Sequence, residues 1–161
     1  GKVAVDGSKD PMIELARRHA KPVLIDPKGS DFARYEGATV ITPNQNEFRD
    51  VVGRWASERE MSERAQRLRR RLKVGSLLVT RGADGMTLFE RARRLHVPAQ
   101  AREVSDVSGA GDTVIATLAV MLASGHTMDD AVKVANRAAG IVVGKFGTAV
   151  ALPAELFETE G

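Results

Sequence analysis

A chain of 161 residues with no cysteine has no disulfide scaffold, no zinc–thiolate site and no thiol nucleophile, and it is long enough for one α/β domain with its own core. Apolar residues make up 43% and charged residues 28%, as in an ordinary soluble domain; aromatics are only 4%, so the core is expected to be built from Val, Leu, Ile, Ala and Met. The 24 Lys and Arg against 21 Asp and Glu give +3 at pH 7 and a pI near 9.5, a balance that suits an anionic partner and does not choose between a nucleotide, a sugar phosphate and nucleic acid.

In chain order, Gly1 to Ser8 shows no period and reads as an edge segment, a linker or a remnant of cloning. Asp10-Pro11 supplies an N-cap and a first-turn proline for a helix carrying Met12, Ile13, Leu15, Ala16, His19 and Ala20, stopped by Lys21-Pro22. Val23-Leu24-Ile25 is a short buried-type strand running into Asp26-Pro27-Lys28, and Val40-Ile41 is a second, ending at Thr42-Pro43-Asn44. A helix follows, turning Phe48, Val51 and Val52 inward and stopping at Gly53. Ser57 caps a longer helix whose Met61, Ala65, Leu68 and Leu72 form an apolar stripe. Leu77-Leu78-Val79 is a third buried strand. The turn Ala83-Asp84-Gly85 then leads to strands over Met86–Phe89 and Leu95–Val97.

Ser108-Gly109-Ala110-Gly111 opens an apolar helix. Thr113 to Ala123, the longest apolar run, is about half the ~20 residues of a membrane span and reads as a buried helix. Thr127 caps a last helix ending at Gly144, and a short helix is expected after Pro153. No apolar leader with a small-residue cleavage site is visible at the N-terminus, and a cytoplasmic location is expected. Strands alternating with helices predict a single three-layer α/β/α, Rossmann-like domain whose ligands bind beyond the carboxyl ends of its strands.

The stretch Asp106-Val107-Ser108-Gly109-Ala110-Gly111-Asp112-Thr113 carries the most chemistry. Small residues before a helix let the backbone approach a ligand, and the helix's first turn offers unpaired N–H groups with the positive end of its dipole. Asp112 in that turn is placed to take a proton from a hydroxyl attacking a phosphoryl group. The N–H groups of Gly109, Ala110 and Gly111 are placed to receive the charge that builds on phosphoryl oxygens. The residues alone leave a second reading open, in which the glycines only shape the turn and Asp112 only caps it. Neither a Walker lysine motif nor a full G-x-G-x-x-G is present.

That stretch resembles the D-T-x-G-A-G-D signature of the ribokinase-like, PfkB-type carbohydrate kinases, with Val107 where threonine is common. Asn44-Gln45-Asn46-Glu47 resembles the family's N-x-x-E motif, Val79 to Gly85 its strand and turn beside the nucleotide, and Asn136 a position near the adenine. The motifs run in family order over about Lys21 to Leu156. The resemblance implies an ATP-dependent sugar kinase with Asp112 as catalytic base and Gly109, Ala110 and Gly111 as anion hole. Thr80, Arg81, Gly82 and Asn136 would line the nucleotide site, and Asn44 and Glu47 would organise Mg2+ through water.

Val23 to Gly29, Thr42-Pro43-Asn44 and Val143 to Thr148 are similar to the heptose 7-phosphate kinase branch, which phosphorylates the anomeric hydroxyl on the route to lipopolysaccharide. Family members are about twice as long. The resemblance therefore implies a C-terminal nucleotide-binding half without the N-terminal half that supplies most of the sugar pocket and the lid. Turnover in the half-length chain is expected to be impaired or absent, and the uncovered flank is expected to favour self-association.

Alternatives stand beside these assignments. Asn44 and Glu47, one turn apart, also form a capping box. Lys28 is either a phosphate contact or an exposed loop lysine. Arg64 to Lys73 would be a nucleic-acid footprint in a different kind of protein, but the stripe from Met61 to Leu72 assigns its arginines to a solvated outer face. A non-catalytic Mg·ATP-binding or scaffold domain is the other alternative. His19, His96 and His126 have no second ligand at metal spacing and are not site candidates.

Overall fold

Asp10 starts the first helix as its sequence predicts: its side chain accepts the Met12 N–H at 2.9 Å and Pro11 fills the first position. In this computed structural model the described residues are 10–100 and 110–144. The expectations for Gly1 to Ser8, for Asp106 to Gly109, for Lys145 to Thr148 and for the helix after Pro153 lie outside them.

The elements in chain order are α1 Pro11–Arg18, β1 Leu24–Ile25, β2 Val40–Ile41, α2 Gln45–Val52, α3 Glu58–Arg71, β3 Ser76–Thr80, β4 Met86–Glu90, β5 Arg93–Val97, α4 Ala110–Ala123 and α5 Met128–Gly144. One five-stranded sheet has the order β1-β2-β3-β4-β5. β1 is parallel to β2 in the register Leu24 to Val40, and β2 to β3 in the register Val40 to Ser76. The links from β3 to β4 and from β4 to β5 are too short for a crossover, so these pairs are antiparallel and the sheet is mixed. The described residues divide into two compact units, 10–78 with 89–94, and 79–88 with 95–100 and 110–144.

In the first unit Val40, Ile41, Leu77 and Leu78 are fully buried, and Met61, Ala65, Leu68 and Leu72 face inward, as the stripe predicts. Among the described residues β1 is an outermost strand, and Leu24 and Ile25 are half-buried rather than the buried pair the apolar run suggests. Of α1 only Ile13 is buried; Met12 and Leu15 are exposed. The scarcity of aromatics does not keep them from the core. Phe32, Phe48 and Phe89 are among its largest fully buried side chains, and Tyr35 is buried as well.

α2 is held at both ends. A capping box closes its N-terminus, and at its C-terminus the Arg64 guanidinium donates to the Val52 carbonyl. Arg64 is itself held by Glu60 at 2.6 Å. The Ala56 N–H, 2.7 Å from the Glu60 carboxylate, and then Arg64 hold the Glu60 carboxyl below its usual value. A carboxyl lowered by folding stabilises the fold above its unfolded pKa, and that contribution is lost as pH falls through the folded value. The melting-temperature gap between the native chain and Glu60→Gln is therefore expected to be widest at neutral pH and to close below about pH 4. A gap constant from pH 7 to 3 would remove Glu60 from the junction's stability.

In the second unit α4 and α5 pack on each other. α4 buries Val114, Leu118 and Met121, while Val120 is 66% exposed. The run Thr113 to Ala123, expected as a buried helix, is thus buried along one stripe. Gly125, at φ +85, ends α4, and the Thr127 hydroxyl accepts the Asp130 N–H at the start of α5.

Candidate functional site

Beyond the carboxyl ends of β1 and β2, in the first unit, Ile25 and Thr42 are tied together. The Ile25 carbonyl accepts the Thr42 N–H at 2.9 Å and the Thr42 hydroxyl at 3.3 Å. Past Ile25, Lys28 Nζ meets Asp26 Oδ2 at 2.9 Å, with the lysine side chain 74% exposed, a surface pair of about 0–1 kcal/mol. The structure thus gives Lys28 an ion-pair partner on its own loop.

Past Thr42, both halves of the capping box are present. Asn44 Oδ1 accepts the Glu47 N–H and Glu47 Oε2 accepts the Asn44 N–H, each at 2.9 Å. The two candidate metal residues therefore do adjoin, and the capping alternative is realised in full; such a cap contributes about 1 kcal/mol. With Oδ1 and Oε2 taken by backbone donors, the pair suits a hydrated ion held through water better than a direct ligand cage. No group of three or more His, Asp or Glu side chains gathers for a metal among the described residues. Mg2+ keeps several waters and leans on one or two carboxylates and on phosphates, so the pair fits it in that manner.

In the second unit, the Gly-rich turn enters description at Ala110, the first residue of α4, with Asp112 exposed in the first turn; Gly109 lies outside. No described atom comes within 4 Å of a Cβ built on Gly111. An exposed carboxylate in the first turn of a helix, beside a glycine with open space over it, is the kind of arrangement a phosphoryl group requires. Gly82, just after β3, is likewise open around its Cβ position, at φ +57.

Thr80 is half-buried at the end of β3, and Arg81 is buried. The Arg81 guanidinium turns inward and donates to Thr87 Oγ1 at 3.2 Å. Asn136 is also buried, and its amide donates to the Pro98 carbonyl at 2.9 Å. These contacts bring in Thr87 and Pro98, which sequence reasoning did not single out, and Thr87 Oγ1 lies 2.9 Å from Nδ1 of His96, which it set aside. Thr87 and His96 stand on different strands and carry no motif, so no spacing links them.

Arg67, Arg70 and Arg71 of α3 are exposed, as expected, whereas Arg64 and Arg69 are part-buried and donate to the carbonyls of Val52 and Val74. Arg59 pairs with Glu63, Arg64 with Glu60, and Arg69 with the Gln66 side chain. They border a shallow depression of about 450 Å³ where Arg69 and Arg70 meet Arg91, Arg93 and Arg94. Arg93 and Arg94 are the first two residues of β5. No helix among the described residues is long and apolar enough to cross a membrane.

Comparison with known proteins gives these positions a context. The chain is 59% identical over 145 residues to the D-beta-D-heptose 7-phosphate kinase of Bordetella bronchiseptica, covering 90% of this chain and 46% of that protein. It is 56% identical over 146 residues to the bifunctional protein HldE of Klebsiella pneumoniae, covering 90% of this chain and 31% of that one. The chain thus spans less than half the length of these relatives.

Among solved structures, Arabidopsis thaliana ribokinase complexed with ribose and ATP superposes with a TM-score of 0.74 at 25% identity, over 84% of this chain and 45% of that one. Phosphofructokinase-2 from Escherichia coli in complex with potassium shares the fold with a TM-score of 0.80 at 19% identity, over 91% and 48%. The α/β fold expected from the sequence is therefore the ribokinase-like one. With the pfkB family carbohydrate kinase model matching residues 10–155, the chain belongs to the pfkB family of carbohydrate kinases.

Proposed function

We propose that this chain is the nucleotide-binding part of an ATP-dependent kinase acting on a heptose phosphate, with Asp112 as the base. The reading is carried by the start of α4, where an exposed carboxylate adjoins an uncovered glycine and first-turn N–H groups. As the sugar oxygen attacks the γ-phosphorus, its proton passes to the Asp112 carboxylate. The new O–P bond forms as the bond to the β,γ-bridging oxygen breaks, and ADP leaves. The N–H groups of Gly109, Ala110 and Gly111 receive the charge on the transferred phosphoryl oxygens.

Thr80, Arg81, Gly82 and Asn136 build the nucleotide side, Lys28 contributes a cation, and Asn44 and Glu47 orient water around Mg2+. When bound, Mg2+ neutralises charge on the phosphate oxygens. The family membership, and the heptose kinase name of a 59% identical relative, support the sugar phosphate as substrate class. Catalysis of this kind is mostly the positioning of two substrates, so the sugar-binding remainder of a full-length kinase is required for turnover.

Calorimetric titration with ATP and magnesium tests the nucleotide part. The native chain is expected to bind saturably, Asp112→Ala to bind within a few-fold, and Gly111→Val to lose binding. Because the Cβ position of Gly111 is open among the described residues, valine there covers the cradle without a clash. A folded native chain that binds no ATP, or a Gly111→Val chain that binds normally, would sink the reading.

A further inference from the structure

Thr87 is 0% exposed and Arg81 is 9% exposed, so no water solvates the hydroxyl between them. A guanidinium can only donate, and Thr87 Oγ1 therefore accepts from Arg81 Nη1 at 3.2 Å. The hydroxyl's own hydrogen is then available to His96 Nδ1, 2.9 Å from Thr87 Oγ1. A hydroxyl carries one hydrogen and two acceptor lone pairs, so Thr87 Oγ1 can serve Arg81 together with either tautomer of the His96 ring. Three side chains from β3's end, β4 and β5 thus form one polar relay inside the second unit.

The relay anchors one end of a turn whose other end is wedged. The Arg81 N–H donates to Gly85 O at 2.8 Å, the Asp84 N–H to Arg81 O at 3.1 Å, and the Gly85 N–H to Gly82 O at 3.0 Å. Gly85 packs directly on the backbone of Val97, Pro98 and Ala99, and Pro98 is tied to α5 through Asn136. Gly82, with its open flank, stands in the middle of this braced turn. An inward-facing guanidinium is badly placed to grip a phosphate and well placed to hold the backbone around it still.

We infer that Thr87 and His96 are positioning residues: through the Arg81 guanidinium they hold the 81–85 turn, so that the backbone at Gly82 meets the nucleotide already in its bound shape. The inference rests on the nucleotide reading only in what Gly82 faces. A pre-ordered turn spares the ligand the ordering cost, which is how a residue that never touches it raises affinity.

The test pairs amide hydrogen exchange at Asp84 and Gly85 with ATP calorimetry on Thr87→Val, which keeps the shape and removes the hydroxyl, and on Thr87→Ser, which keeps the hydroxyl. Thr87→Val removes the acceptor of the Arg81 Nη1 hydrogen bond, and exchange at both amides is expected to rise about tenfold or more. ATP affinity is expected to fall by a similar factor, and Thr87→Ser to restore both. The His96→Leu and His96→Asn pair repeats the comparison if Thr87→Val does not fold, with asparagine offering a replacement hydrogen-bonding partner. Unchanged exchange in Thr87→Val and His96→Leu would overturn the inference. So would faster exchange with unaltered ATP affinity. Faster exchange in a protein whose native form binds no ATP would support the brace and refute the nucleotide reading instead.

Discussion

Gly85→Ala is expected to lower the melting temperature by about 10 °C, the largest loss from adding a methyl group to any glycine that the described residues include. A Cβ built there lies 2.0 Å from the Val97 carbonyl oxygen, 2.6 Å from the Ala99 nitrogen and 2.7 Å from the Pro98 carbonyl carbon. All three are backbone atoms, and Pro98 is further fixed by Asn136, so no side chain can swing aside. Gly85 also has φ +82, where an L-residue costs about 1–2 kcal/mol. Overpacking adds about 1–3 kcal/mol. Gly82→Ala is the control: its φ is +57, but nothing described lies within 4 Å, so only the conformational part applies. Thermal melts by circular dichroism read the difference. Equal melting of the two variants would show that the turn is not wedged against the segment after β5.

Asp112→Asn, in a full-length kinase carrying this sequence, is expected to lower kcat by about 10²- to 10⁴-fold, the usual contribution of a positioned general base. The amide keeps the size of the carboxylate and cannot take the sugar proton. Asp112 is exposed in the first turn of α4, so the substitution removes no core contact, and folding should be nearly untouched. ATP affinity is expected to stay within a few-fold, which separates a base from a phosphate ligand. Single-turnover kinetics with ATP and a heptose phosphate supply the measurement. A variant that keeps full turnover would end the assignment of Asp112, and one that loses ATP binding in proportion would move its role to the nucleotide.

These two variants lie at opposite ends of what the sequence makes legible. Asp112 can be picked out from a string of eight residues, because a glycine-rich turn, a helix start and a carboxylate are local facts. Gly85 reads from sequence as a turn glycine, yet its wedging depends on Val97, Pro98 and Ala99, beyond the next strand. The same contrast separates the capping box, spelled by Asn44 and Glu47 one turn apart, from the relay of Arg81, Thr87 and His96. Helical spacing picked out the α3 stripe. It could not show that Leu24 and Ile25 are half-buried while Val40 and Ile41 are fully buried, because an apolar pair looks the same in either place.

By itself, then, the sequence determined the alternation of strands and helices, the caps, the buried stripe of α3 and the resemblance to a carbohydrate kinase. Each of these rests on interactions between residues a few positions apart or on a contiguous motif. The tertiary structure alone decided which way Arg81 and Asn136 turn, that three phenylalanines fill an aromatic-poor core, and that α4 buries one stripe of an apolar run. Those outcomes depend on which distant segments meet, and burial and buried hydrogen bonding are satisfied only when they do.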